Sequence, residues 1–336
     1  IQDAANVTVA GLVVYPRTKP ADSSLVALYG DIRNVTVRNL DIRGAKDAAN
    51  YANWTEKDWN QHKVDGSLVR GGTNVTFLNN RMTGIFHGIN TYAANMRIQG
   101  NIISGHAGDG IRLLGDNSEV SGNTIQDCVV VDGNHPDELQ MWSMGPDGRP
   151  GGGVLKNIII SGNEFYEWRS PRRSRLPCQM QGVNIFDGSL DGFRITNNVL
   201  SVSAYHGIAL AGASNGVIAN NTVVQPNGQR LGYPWIRVDW GKKGQPSSNV
   251  VIANNVVGQV HAEGTALVAI KNIAYGGPLD FMSVAAQDFR PTRRAAHQLV
   301  DAADPEFAPP VDVRGVPRTD DAGPDIGAFE LMASER

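Results

Sequence analysis

The residues best suited to chemistry crowd into one stretch, VVVDGNHPDELQMWS, which runs from Val129 to Ser143. Asp132, Asn134, His135, Asp137, Glu138 and Gln140 fall there where a loop gives way to an apolar alternation. Asp109 in DGIRLL and Asp137 in DELQMW head equivalent phrases. On neighbouring strands about 4.8 Å apart, their carboxylates would sit side by side. Two carboxylates so placed rarely ionise together, and one keeps its proton near neutral pH. That is the state a general acid needs. His206 and Arg237 belong to later copies of the same phrase, placed to orient groups or stabilise charge. Glu138 stands where other copies mostly carry Gly, and no role follows from that.

What must position these residues is a repeat. An alternating apolar run, then Asn-Asn or Gly-Asn, then an apolar residue recurs as NVTFLNNRM, NMRIQGNII, NSEVSGNTI, NIIISGNEF, GFRITNNVL, NGVIANNTV and NVVIANNVV. Its final asparagines are Asn80, Asn101, Asn123, Asn163, Asn198, Asn221 and Asn255, separated by 21, 22, 40, 35, 23 and 34 residues. Two earlier copies carry Leu12 and Leu40 at that place. Apolar pairs such as Val75 and Phe77, Met96 and Ile98, Ile158 and Ile160, Phe193 and Ile195 precede each asparagine at strand spacing. A period near 22 with short strands describes a solenoid whose turns bury their faces only by stacking. The expected fold is all-β, a right-handed single-stranded parallel β-helix with an asparagine ladder at one corner. The leucine-rich repeat has a similar period, but its LxxLxL frame is absent and β-branched residues dominate. Asn-x-Thr sequons at Asn6, Asn34, Asn53, Asn74 and Asn220 read as turn chemistry. Residues 1–275 are assigned to the β-helix and 276–336 to an extension packing on it or capping it.

The second phrase recurs from Asp65, His87, Asp109, Asp137, Gln181, His206, Pro234 and Thr265. Its third and fifth positions are apolar and must point inward. The fourth position (Asn90, Arg112, Gln140, Asn184, Arg237) and the sixth (Tyr92, Trp142, Phe186, Asp239) then face out. Strict alternation turns the first position (Asp65, His87, Asp109, Asp137, Gln181, His206) inward, so its assignment to the outer strip assumes a bend where the strand begins. Insertions at 47–63, 127–136, 164–180 and 223–233, with the loop Met144–Gly153, border this strand and would wall a cleft. The basic run Arg169–Arg175 lies in one wall and suits either an anionic polymer or plain solvation. Amide, guanidinium and carboxylate groups beside flat rings suit hydroxyl-rich ligands.

Composition excludes several classes. The 336 residues are 41% hydrophobic and 19% charged, so the chain folds. The formal charge of −3 is not that of a general nucleic-acid binder. No apolar run reaches membrane-spanning length. The opening IQDAANVTVAG lacks a signal peptide's basic start and apolar core, which implies a signal already removed or a start inside a longer protein. Cys128 and Cys178 form one bridge or stay as buried thiols. No phosphate loop or Gly-x-Ser-x-Gly elbow appears. No cofactor is required; calcium would suit the oxygen donors of the strip, though no fixed-spacing loop supports it.

Asn134-His135-Pro136-Asp137, QGVNIFDG, YHGIALAGA and WIRVDWGKK on successive turns resemble the NTD, DD, GHG and RIK series of the polygalacturonase family. The resemblance implies Asp137 as acid, with His206 and Arg237 in the histidine and arginine places. Gln181 stands where that family has aspartate and Asp239 where it has lysine, so Asp109 or Asp187 would have to activate water. DGNHPD is similar to the DPHD motif of β-helical mannuronan epimerases and related lyases. That likeness makes His135 a base, with Arg112 or Arg237 neutralising a uronate carboxylate. The C-terminal VPRTDDAGPDIGAFE resembles the closing segment of bacterial secreted β-helix proteins.

These resemblances imply an extracellular enzyme cleaving an acidic or complex polysaccharide, by hydrolysis ahead of elimination or epimerisation. His87, Asn90, Tyr92, Arg112, Gln140, Trp142, Gln181, Asn184, Phe186, Asp187 and Lys242 would bind the substrate. The alternative class is a phage tail-spike glycan-binding module on a virion surface; a third is a structural solenoid without activity. The expected partner is polysaccharide, with neither nucleic acid nor membrane, and the protein a monomer, or a homotrimer if a tail spike.

Overall fold

The computed structural model describes residues 1–18, 24–318, 322–332 and 335. Two compact units emerge, Ile1–Met141 with Glu167–Met180, and Trp142–Tyr166 with Gln181–Arg336. Each is a stack of turns with three short parallel strands per turn, one in each of three sheets. The fold is the parallel β-helix. Right-handedness is the rule for such parallel crossovers.

In the first unit one turn reads Thr73–Leu78, Arg81–Ile85, Ile89–Thr91. Arg97–Gln99, Ile102–His106 and Ile111–Leu113 pair with these strands one turn later. The core is the alternation read from sequence: Val75, Phe77, Met96, Ile98, Ile89, Ile111 and Leu113 are all fully buried. The corner between first and second strands explains the recurring Asn-Asn and Gly-Asn. Its leading residue has positive φ at Asn39, Asn79, Gly100 and Gly122, a conformation glycine and asparagine tolerate best. The asparagine that follows turns inward. Asn101 Oδ1 accepts from Asn80 N–H at 3.0 Å and from Asn80 Nδ2 at 2.9 Å, while Asn101 donates in turn to Asn123 Oδ1. The sequon asparagines Asn6, Asn34, Asn74 and Asn220 have positive φ as well.

The insertions of this unit form a wall. A 3-10 turn, Ala48–Asn53, and a helix, Glu56–His62, with Thr55 and Asp58 as a capping box, fill the first insertion. Tyr51, Trp54 and Trp59 pack on Ala107, Val129 and Val131, with Trp168 and Leu176 of the Glu167–Met180 segment against them. Cys128 and Cys178 are bridged, with Cα atoms 5.6 Å apart.

The second unit repeats the pattern: Ser189–Thr196, Val199–Ser201 and His206–Ala211 make one turn. Asn163, Asn198, Asn221, Asn255 and Asn272 continue as a ladder of the same geometry. The phrase beginning at Thr265 is corrected here: Gly264–Ile270 pairs with Ser247–Ala253 in the first sheet, and the third sheet ends with Gln259–Ala262. Beyond it, Phe281–Ser283 pairs antiparallel with Asp288–Pro291, followed by the helix Arg293–Leu299. Phe281, Phe289, Leu299, Ile326 and Phe329 pack on Tyr166, Val199, Val224 and Val256, residues of the second sheet. The closing VPRTDDAGPDIGAFE falls partly on residues 319–321, outside the described residues. No helix among the described residues is long and apolar enough to cross a membrane.

Candidate functional site

In the first unit, the head of the third strand carries Asp65, His87, Asp109 and Asp137 in one column. Below its first member this column is closed off from solvent. His87 is 6% exposed, Asp109 1% and Asp137 2%. Strict alternation breaks at the strand head, where a side chain at Gly66, Gly88 or Gly110 would meet Met82, Ile103 or Ile125 of the core, and the column before it finds backbone donors. His87 N–H donates to Asp65 Oδ1 at 3.2 Å, Asp109 N–H to His87 Nδ1 at 2.8 Å, and Asp137 N–H to Asp109 Oδ1 at 3.0 Å. Each side chain thus receives the next turn's amide. Arg112 Nε donates to Asp109 Oδ2 at 2.5 Å, so both Asp109 oxygens accept hydrogen bonds. Burial, then the Arg112 charge, pushes His87 down to about 4. Its Nδ1 accepts a hydrogen bond from the Asp109 amide, so the ring is neutral with the proton on Nε2. His135 is exposed on the loop before the strand.

Asp65 differs from its column. It is only partly buried and joins Leu68, Arg70, Asn90 and Tyr92 around a cleft of about 410 Å³. Leu68 with Asn90, and Arg70 with Tyr92, occupy the fourth and sixth positions of their phrases, the faces that alternation points outward. Burial pushes the Asp65 carboxyl up to about 6, against the smaller opposing effects of the His87 amide and the Arg112 charge. Tyr92 is 40% exposed, and Arg70 is exposed with no ion pair among the described residues. Gln140 is half-buried beside Arg112 in the register.

The second unit's third sheet has a different character. Phe186, Tyr205 and Trp235 surround His206, with ring centroids 4.8, 4.2 and 5.7 Å from it, and Trp235 Nε1–H donates to His206 Nδ1 at 3.1 Å. Arg237 is not free: it pairs with Asp239 through Nε and Nη2. Although burial raises Asp239, the Arg237 and Trp240 hydrogen bonds hold its carboxyl below the usual range. Lys242 and Asp187 form an exposed pair at 2.8 Å. Asn184 is buried near Gln181, its Nδ2 3.4 Å from Gln181 Oε1, and Trp142 is half-buried.

Sequence reasoning missed Arg70 and Leu68, although both sit at outward positions of DGSLVR and the same alternation finds them. It missed a buried node for which no pattern exists. Tyr51 and Ser170 hydroxyls and the Arg169 and Ser170 amides all donate to Asp127, tying three insertions together. Glu138 is wholly buried and neither carboxyl oxygen has a hydrogen-bond partner. Burial, then Glu167, pushes its pKa well above the usual carboxylate range. Among the described residues no group of three His, Cys, Asp or Glu side chains is placed to hold a metal ion.

No family model matches the chain, and no curated protein matches it. Among solved structures, the crystal structure of pectate lyase Pel9A is similar, with a TM-score of 0.52 at 14% identity. The match covers 97% of this chain and 88% of that one. At that identity the likeness establishes the parallel β-helix fold.

Proposed function

We propose that the protein degrades a uronate-bearing polysaccharide, acting outside the cell, with the chain bound along the outer face of the first unit's third sheet. The carrying observation is the cleft in which a carboxyl held near pH 6 stands beside Arg70 and the face of Tyr92. The neighbouring pectate lyase fold supports polysaccharide as the substrate class, and the disulfide supports an oxidising compartment. Elimination fits this geometry better than hydrolysis. An inverting hydrolase needs a second solvent-facing carboxylate, whereas Asp109 and Asp137 are buried. For elimination, the ionised Asp65 takes the proton alpha to the uronate carboxylate, whose charge Arg70 and Arg112 offset. The released electron pair forms the carbon–carbon double bond as the glycosidic oxygen departs and takes a proton from water.

The test is digestion of a panel of uronate polysaccharides. Ultraviolet-absorbing unsaturated ends are expected, and Asp65→Asn should lower turnover about 10²- to 10⁴-fold with binding retained. Reducing ends without absorbance would establish hydrolysis. Binding without cleavage would leave a recognition module.

A further inference from the structure

The second unit holds a cavity away from its third sheet. About 340 Å³ in volume, it lies between the last second-sheet strand, Val256–Val257, and the helix Arg293–Leu299. Its floor is apolar: Val256, Tyr275, Phe281 and Leu299 are 3–6% exposed. Its rim is basic, with Arg230, Arg294 and His297. The one acid of the lining, Asp280, is engaged, 3.5 Å from Arg294 Nε and accepting the Gly276 amide. Arg230 has no ion pair among the described residues and is exposed. Tyr275 lines the floor, its hydroxyl donating to the Gln229 carbonyl at 3.2 Å and accepting from the Gln225 amide at 3.3 Å. An apolar, ring-bearing floor under an excess of guanidinium charge is complementary to a molecule with a flat apolar face and one carboxylate.

We propose that this cavity is a binding site for a sugar acid, a mono- or disaccharide with a uronate carboxylate at Arg230 and Arg294 and its apolar face on Tyr275 and Phe281. The choice of a sugar as the carboxylate's carrier rests on the proposed substrate class; the carboxylate site itself does not. Arg230 belongs to the insertion 223–233, which leads directly into the Trp235 strand beside His206. Occupancy therefore braces that insertion.

The experiment is a calorimetric or NMR titration of the full chain with galacturonate, galactose and acetate. Galacturonate alone should bind, and Arg230→Gln should weaken it at least tenfold without changing the melting temperature. Arg294→Gln should weaken it similarly; because this change also releases Asp280, Arg230→Gln is the cleaner variant. Equal binding of galactose would overturn the role of charge, and equal binding of acetate would overturn the sugar. No binding by any of the three, or undiminished binding by Arg230→Gln, overturns the site. Because the readout is binding, a chain inactive on every polysaccharide can still show it, so the two readings fail separately.

Discussion

The third sheets of the two units begin their strands at the same place in the repeat and reach opposite chemistry. In the first unit, Asp65, His87 and Asp109 each accept the following turn's amide, so polar groups are consumed as structure. In the second, His206 stands in that column but is clasped by rings, its Nδ1 accepting a hydrogen bond from the indole N–H of Trp235. A titratable residue at a repeated position thus carries no fixed meaning. Its role depends on which donor reaches it first. Where the first unit's column starts, at Asp65, a side chain of this series opens onto a cleft.

The sharpest way to break this contrast is Asp109→Ala. It removes the carboxylate that Arg112 Nε bonds and leaves the buried Asp137 amide without that acceptor. Removing one partner of such a pair should cost about 3–5 kcal/mol in urea unfolding. A loss below about 1 kcal/mol would show that the column is not structural. Next comes the wall of the same unit. Replacing Cys128 and Cys178 together by serine opens a loop of 50 residues and should cost about 2–4 kcal/mol, read as a lowered melting temperature.

Asp65 sharpens the comparison through pH. Its folded pKa, about 6, lies above its ordinary 3.8. The stability it contributes is therefore complete below pH 3.8 and is lost as pH rises through 6. The wild type should lose about 1–2 kcal/mol across that window, after allowing for partial exposure, and Asp65→Asn should not. Parallel pH profiles for the two proteins would remove Asp65 from its special place. The smallest effect is expected in the second unit. Trp235→Phe keeps a ring and loses the bond to His206, for about 0.5–1.5 kcal/mol in thermal unfolding. A larger loss would make His206 as structural as Asp109.

The fold was legible because two simple signals repeat. Alternation marked Val75, Phe77, Ile111 and Leu113 as core, and the Asn-Asn and Gly-Asn pairs marked one corner of every turn. The candidate site was legible only on its regular part. Asn90 and Tyr92 line the cleft from positions that alternation predicts. Asp109 and Asp137 were expected on the surface because polar residues usually face water. Their burial depends on amide donors one turn away, which a linear reading does not display. The Tyr51–Asp127–Ser170 node joins residues far apart in the chain, inside insertions that follow no period.

The asparagine ladder has a direction. Asn101 gives its oxygen to Asn80 on the turn before and a proton to the Phe77 carbonyl of that same turn, while its own amide faces Asn123 ahead. A leucine at position 101 would still offer Asn123 its backbone N–H, as Leu40 offers its own to Asn80 at 3.0 Å. The larger injury would fall on the earlier turn, whose two donors and one carbonyl would lose their partners, while Asn123 Oδ1 would lose one of its two donors. Such a series can begin with a leucine, as it does at Leu40, but it cannot tolerate one midway. The repeat is therefore a one-way queue, in which insertions are free to lengthen a turn so long as nobody leaves the line.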